Sequence, residues 1–471
     1  MKTWNHWKQK GRRTGIHLVV VTGLLLSSFL MSVLLMPVPG TFAGYQRENM
    51  QETAKERIFP DTPQVELAPT ELYSKAAVLM DATTGRVLYE KDGTEKLSNA
   101  STTKIMTCIL VLEQDCNDQI AEASAYAGAQ PKVHLGVRKG QQFLVKDLLY
   151  SLMLESHNDA AVILAEHIGA KALGLPDTAG ERDVEESKQA VSAFARLMNE
   201  KALEIGCTDT TFVTPNGLDA VQVTESETGE EVVLTHGTTA EDLAKIMAYC
   251  VTASPKKEEF LEITRAVDHS FCDVEGRQSY RCYNHNAFLG MMEGALSGKT
   301  GFTNSAGYCY VGALQRDDRI YTIALLACGW PNHKGWKWED SRKLYNYGLE
   351  QYGYEEFLPE VEISSLPVSG GQPKDGNPYH SVEVLPVLEE TEPMRILCRE
   401  GETMVAELES VDHLDAPVGA GTQTGTVTYY FVTAQGERIP WKSASVRVQE
   451  SVASMDAGFV AKYVLGIFLL G

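Results

Sequence analysis

Two pairs of short apolar runs, each joined by a tight polar turn, stand at either end of a long stretch of helical periodicity. No other feature constrains the fold as much. Residues 76–80 and 87–90 flank Asp81-Ala82-Thr83-Thr84-Gly85, and residues 308–314 and 319–328 flank Gln315-Arg316-Asp317-Asp318. Short β-prone runs around such turns predict hairpins. Between them, helical patterns begin at about Ser101 and recur over 145–154, 160–168 and 191–205. In the last, Phe194, Leu197, Met198 and Ala202 keep helical spacing, and Gly206 suits the C-terminal cap. A closing helix is expected over 340–349. Strands, then helices, then strands predict an α+β domain, an antiparallel sheet covered by helices rather than alternating βαβ units. Acidic stretches at 177–186 and 225–231 read as solvated insertions.

The 471 residues suggest about three domains. Lys2, Lys8, Lys10, Arg12 and Arg13 precede an apolar run over 16–36, and Thr41-Phe42-Ala43 offers small residues for cleavage. Residues 1–43 therefore read as a secretory signal or, since the run is long, an uncleaved N-terminal anchor. Either way the body of the protein is expected outside the cytoplasm. Residues 44–70 form a polar, flexible stalk and 71–355 the main domain. Residues 356–450 are a small β-rich domain with turn signals at Ser369-Gly370-Gly371 and Ala434-Gln435-Gly436. Over 457–471 only Lys462 is charged. Fifteen residues of helix reach ~22 Å, short of the ~30 Å hydrocarbon core, so 451–471 reads as an interfacial membrane anchor. A terminal helix packed on the body is the competing reading.

A formal net charge of −21 argues against nucleic acid as a partner and against polybasic docking on anionic lipid. The nine cysteines form no C-x-x-C pair, so no metal site is expected. They read as small apolar fillers, with a Cys272–Cys282 bridge left open.

Three short elements carry chemistry. Ser101-Thr102-Thr103-Lys104 places a hydroxyl and an amine three residues apart, on one helical face. A serine needs a base within hydrogen-bond reach, and an amine serves when burial or a second cation disfavours its charged form. Ser156-His157-Asn158 lies between two apolar helices, where a serine can relay a proton and an asparagine amide can hold a peptide bond. Taken alone, it equally fits a helix cap. Lys299-Thr300-Gly301 precedes a hairpin, where lysine and threonine can receive a carboxylate and glycine admits a close backbone. Each element alone is weak; the three in this order form a known serine-acyl-transfer set.

With these elements the chain resembles the low-molecular-mass penicillin-binding proteins that act as serine-type D-Ala-D-Ala carboxypeptidases. The resemblance extends over roughly 72–348, through Thr84-Gly85, Leu148-Leu149-Tyr150, Pro215-Asn216-Gly217-Leu218, Asn284-His285-Asn286 and Gly298–Thr303. It implies a β-lactamase/transpeptidase-like domain followed by a small all-β domain. It implies removal of the terminal D-Ala from peptidoglycan pentapeptide stems. Ser101 would be the acylated nucleophile, Lys104 the general base and Ser156 the proton relay. Asn158 would bind the substrate amide, and Lys299 and Thr300 the terminal carboxylate. Gly301 would admit the substrate backbone, and the backbone N–H groups of Ser101 and Phe302 would form the oxyanion hole. No cofactor or metal is implied. The partners implied are stem peptides ending in D-Ala-D-Ala, β-lactams as covalent inhibitors and the outer membrane surface of the cell through the C-terminal segment.

Departures from the family pattern fall at His157, which points away or narrows the site, and at His285, where some members carry arginine. Trp330-Pro331-Asn332-His333-Lys334 replaces an arginine-containing stretch of some members, for which Lys334 or Lys337 is the candidate substitute, without the bidentate fork. The alternatives are a D,D-endopeptidase or transpeptidase, a β-lactamase, and a non-catalytic wall scaffold.

Overall fold

The computed structural model describes residues 66–175, 178–225, 231–358, 360–389 and 392–470. The leader at 1–43 and most of the stalk lie outside the described residues, as do parts of both acidic stretches.

Five strands form the central antiparallel sheet: β1 (Ala76–Asp81), β2 (Val87–Lys91), β3 (Ala295–Thr303), β4 (Gly307–Arg316) and β5 (Arg319–Leu326), in spatial order β2-β1-β5-β4-β3. Alternate residues of a strand face opposite ways, and β1 shows why both faces must be covered. Ala76, Val78 and Met80 join one apolar cluster, Ala77 and Leu79 another, and all are fully buried. The main helices are α1 (Lys104–Leu112), α2 (Asn158–Leu173), α3 (Val184–Ile205), α4 (Ala240–Thr252), α5 (Trp336–Gln351) and α6 (Ala457–Leu470). Helix α4 packs on one face of the sheet and α5 on the other. The sequence of α1 is apolar all round and all nine of its residues are buried, as expected of a helix enclosed by other helices. Its first residue is Lys104. The β4–β5 turn is two residues long, Arg316 pairing with Arg319, with Asp317 at φ 57°.

Several local expectations are revised. The turn at Ala100–Thr103 is a 3-10 helix, and the α-helix starts only at Lys104. Residues Ser151–Glu155 adopt a π-turn that ends the preceding helix, Val145–Tyr150. The stretch 177–186 is not merely a solvated insertion. Ala179, Gly180 and Arg182 are buried, and Asp183 with Glu186 forms the capping box that starts α3. Three antiparallel strand pairs were not anticipated: Ile120–Glu122 with Gln142–Leu144, and the hairpins Val221–Glu225 with Glu231–Thr235 and Asp268–Cys272 with Ser279–Tyr283. The last rules out the Cys272–Cys282 bridge, because its register sets Cys272 opposite Ser279 and Cys282 opposite His269. All nine cysteines are free, and all but Cys272 are buried.

Strand Gly353–Phe357 pairs with Met394–Cys398, so pairing with the β-rich region begins at Gly353. That region adds a four-stranded sheet with its own core around Ile396, Val427, Phe431 and Val446. Arg86, in the β1–β2 turn, locks the two parts together. Its guanidinium donates to the carbonyl of Leu397, pairs with Glu402 at 2.6 Å and lies 4.0 Å from the centre of the Phe431 ring. Both partners of this ion pair are nearly out of solvent, and removing one partner of such a pair strands a buried charge. Arg86→Ala is expected to destabilise the fold by about 3 kcal/mol, read as a lowered midpoint in urea. An unchanged midpoint would show that the clamp contributes nothing.

Candidate active site

The 3-10 turn at Ala100–Thr103 brings residues three apart almost into line, which sets Ser101 over Lys104. The Lys104 amine donates to Ser101 Oγ at 2.8 Å, to Asn158 Oδ1 at 2.9 Å and to the carbonyl oxygen of Asn216 at 2.7 Å. Lys104 is completely buried. Its pKa lies well below the ordinary lysine value, first because burial removes water from the cation and then because Lys299 is close. Of the three acceptors only the serine hydroxyl also carries a proton. When the amine is neutral its two N–H bonds therefore stay on Asn158 and Asn216, and its lone pair faces Ser101 Oγ.

Asn216 was not assigned a role from sequence. It acts through its backbone carbonyl, placed by the loop 213–217, and Gly217 is what lets that loop close. At φ +83° a Cβ on Gly217 would sit 1.9 Å from the Ala100 carbonyl oxygen. The backbone is contorted beside Ser101 and at Ser156: Ala100 at φ 49° and Ser156 at φ 66° are non-glycine residues in the left-handed region.

The Ser156 turn is held from outside. Glu155 accepts the N–H of Tyr283 at 2.9 Å and lies 3.2 Å from His285 Nε2. His285 is thus engaged with a carboxylate of this chain. Asn284 fastens the same segment through Thr264 O and Ala266 O. His157 turns to Ser151 Oγ, 2.8 Å from its Nδ1, and so closes the π-turn. Burial, foremost, lowers its pKa. Asn158 donates to the carbonyl of Pro131 at 3.0 Å, and its amide carries a second N–H. The adjacent Asp159 carboxylate accepts the N–H groups of Leu135, Gly136 and Val137, fixing the loop that lies over Asn158.

The third element lies on β3, the free edge of the sheet. The buried Lys299 amine donates to Ser156 Oγ and to Thr300 O, both at 2.9 Å. Burial brings its pKa down to about 7. Thr300 is half-buried. Gly301 allows β3 to meet the Ser101 turn, since a Cβ there would lie 3.0 Å from both Asn99 O and Ser101 N. The N–H and C=O of Tyr308 both bond toward residues 328 and 329. Phe302, directly opposite Tyr308, therefore turns its own N–H to the free edge, beside Ser101. Phe302 itself packs on Tyr308, ring centres 4.7 Å apart. Lys337 is buried, bonded to Lys334 O and set over the Tyr308 and Trp338 rings, while Lys334 is exposed.

The structure thus forms two hydrogen-bonded groups, Lys104 with Ser101 and Asn158, and Lys299 with Ser156, near enough for the Lys299 charge to bear on the Lys104 amine, with Thr300, Gly301 and Phe302 following Lys299 on its strand. Sequence reading missed Asn216, Asp159 and Glu155, whose contributions run through backbone groups. Among the described residues no cluster of potential metal ligands occurs.

The sequence profile of the D-alanyl-D-alanine carboxypeptidase family matches residues 62–173 and 186–327. D-alanyl-D-alanine carboxypeptidase DacF of Bacillus subtilis is 26% identical over 413 residues, which span 86% of this chain and 89% of the relative. D-alanyl-D-alanine carboxypeptidase DacB2 of Mycobacterium tuberculosis is 28% identical over 294 residues, 61% of this chain and 84% of the relative. The solved structure of penicillin binding protein 5 from Haemophilus influenzae superposes with a TM-score of 0.57 at 24% identity, covering 83% of this chain and 100% of that one. A sheet between helical layers followed by a β-rich region is therefore a fold shared with that protein. With a profile match over more than half of its length and a half-buried serine bonded to a buried lysine at its centre, the chain belongs to the D-alanyl-D-alanine carboxypeptidase family of serine hydrolases.

Proposed function

We propose that the chain removes the terminal D-Ala of peptidoglycan stem peptides through an acyl-enzyme on Ser101, with Lys104 as the base. The observation that carries this reading is the Lys104 amine, buried without a carboxylate partner and aimed at a hydroxyl 2.8 Å away. Ser101 Oγ attacks the carbonyl carbon of the penultimate D-Ala, and its proton passes to the neutral Lys104 amine. The N–H groups of Ser101 and Phe302 receive the developing oxyanion. As the C–N bond breaks, the proton moves through Ser156, the neighbour of Lys299, to the leaving amine, and D-Ala departs. Water, deprotonated by the same lysine, then cleaves the ester, giving the shortened stem and free Ser101. Lys299 and Thr300 hold the substrate's carboxylate, and Asn158 its amide. A β-lactam enters the same first step, but its leaving amine stays tethered, so the ester persists.

Fluorescent penicillin applied to the full-length protein tests this assignment. A persistent covalent label, absent from Ser101→Ala, is the expected result. No label and no penicillin turnover by folded wild type would overturn it, while rapid turnover would favour a β-lactamase.

The two amines also predict a pH profile. Acylation requires neutral Lys104 and charged Lys299, so its rate rises as Lys104 loses its proton and falls as Lys299 loses its own, about 7 in the free enzyme. Lys299→Met removes a charge-assisted bond and should slow acylation about 10- to 100-fold. Removing that positive charge raises the Lys104 pKa, so the acid limb should move to higher pH and the alkaline limb should vanish. An unmoved profile would count against both roles.

The same proposal places the catalytic body outside the cytoplasm, on the membrane surface. Its support is the leader-like order of residues 1–43 and the character of α6. Val464, Leu465, Ile467, Phe468 and Leu469 are exposed, the last two by about four-fifths of their surface, and no helix among the described residues is long and apolar enough to cross a membrane. A helix of this kind suits the interface. Protein lacking residues 1–43 should float with lipid vesicles, and Leu465→Asp combined with Phe468→Asp should abolish flotation while leaving penicillin labelling intact. Flotation by that double variant would refute the anchor.

A further inference from the structure

The groups touching Ser101 are held in turn by a buried histidine that belongs to neither of the segments it joins. His236 follows the strand Glu231–Thr235 and is 3% exposed. Its Nδ1 accepts the backbone N–H of Val213 at 3.0 Å, with that of Thr214 at 3.4 Å. Its Nε2 lies 3.0 Å from Thr103 Oγ1. Two donors converge on Nδ1, so that atom carries the lone pair and the ring proton sits on Nε2, where it is donated to Thr103. Thr103 passes its own proton to the Ala100 carbonyl at 2.9 Å and accepts an N–H of Asn99 at 3.0 Å.

Each ring nitrogen therefore grips one of the two backbone segments that meet at the Lys104 amine. One is 213–217, which supplies the Asn216 carbonyl; the other is 99–104, which supplies Ser101 and Lys104. We propose that His236 is a positioning residue for acylation: its Nε2–H tautomer sets the distance between Asn216 O and the Lys104 amine, and so aims the amine at Ser101 Oγ. This inference rests on Lys104 being the base.

The arrangement asks two things of the side chain, an acceptor for the loop and a donor for Thr103, and neutral imidazole supplies both in one rigid plane. A protonated ring would turn an N–H against two backbone donors. Burial holds the pKa down to about 4; the charged groups that bear on the ring are Asp219, which opposes this effect, and Lys96, which adds to it. Thr103 and the Val213–Thr214 backbone, the ring's bonding partners, bring no ionisable side chain, and Phe212 packs beside it at 6.0 Å.

The test is the acylation rate of the full-length protein by fluorescent penicillin between pH 4 and 10, for His236→Ala and His236→Asn, beside the thermal midpoint of each. His236→Ala should slow acylation about 10- to 100-fold at temperatures where it is folded, the cost of a misplaced reacting group. Its acid limb should move to lower pH, because Lys104 loses part of the contact with the Asn216 carbonyl that favours its charged form. His236→Asn keeps an acceptor near Nδ1 and should recover part of the rate. Should His236→Ala fail to fold, Thr103→Val, which cuts the other end of the link, should show the same displaced limb. A folded His236→Ala with wild-type rate, or one slowed with its acid limb unmoved, would overturn the inference. Lys104→Met distinguishes the two levels: wild-type acylation by that variant would remove the base assignment itself, whereas its loss beside unaffected His236 variants overturns only the positioning role.

Discussion

An amine buried without a counter-ion is the constraint to which the rest of this structure answers. Moving a lysine out of water without an anion penalises its charged form, and the group responds by giving up its proton. Had a carboxylate been placed against Lys104, the amine would be a cation and no base at all. The carboxylate that bears on Lys104 is Asp159, one residue beyond Asn158, yet its oxygens are occupied by three backbone N–H groups of the loop 135–137. What reaches Lys104 instead are neutral acceptors, an amide oxygen and a backbone carbonyl. They orient the amine while adding no charge, which is what a base at neutral pH requires.

Bringing two neutral acceptors and a hydroxyl to one buried point costs backbone strain, and the strain is found where this demands it. Ala100 and Ser156 are held at positive φ, and the loop at Gly217 approaches the Ala100 carbonyl more closely than any side chain would allow. Such conformations cost of order 1–3 kcal/mol each and persist only where the surroundings over-determine them. Here the surroundings are a wholly buried helix, α1, and a sheet covered on both faces. Glu155 with Tyr283, and His157 with Ser151, close the second strained turn from its two sides. The core is thus a precondition of the chemistry as well as of stability.

That division explains what could be read from the chain. Ser101 and Lys104 were legible because a spacing of three on a helical turn forces proximity. Lys299 was legible because it precedes a hairpin whose strands are near-continuous apolar runs around a polar turn. The sheet followed from its β-branched and apolar runs. Hairpins such as Asp268–Cys272 with Ser279–Tyr283 were not legible: their strands mix Asp, His, Ser and Arg, and only cross-strand pairing makes them strands. The Asn216 carbonyl has no sequence signature, since every residue owns one. His236 was hidden for a related reason. It lies over a hundred residues from Thr103 along the chain, beyond a hairpin whose residues say nothing about where the loop before it returns. Asp183 misled because an acidic run looks solvated whether or not one of its carboxylates caps a helix.

In the proposed mechanism the two lysines, chemically alike and both buried, are told apart as base and cation by their partners. Lys104 meets three acceptors and can release a proton without losing its orientation. Lys299 meets only a hydroxyl and a carbonyl, which leaves a third N–H of its charged form for an incoming carboxylate. Their mutual repulsion then selects between the microstates. A proton on Lys299 is one cause of the depressed Lys104 pKa, so charging Lys299 drives Lys104 toward its neutral form. Substrate binding reinforces the same choice, because an anion at Lys299 holds the proton there. Under that mechanism, the state proposed to recognise the peptide terminus is also the state in which Lys104 can accept the proton of Ser101.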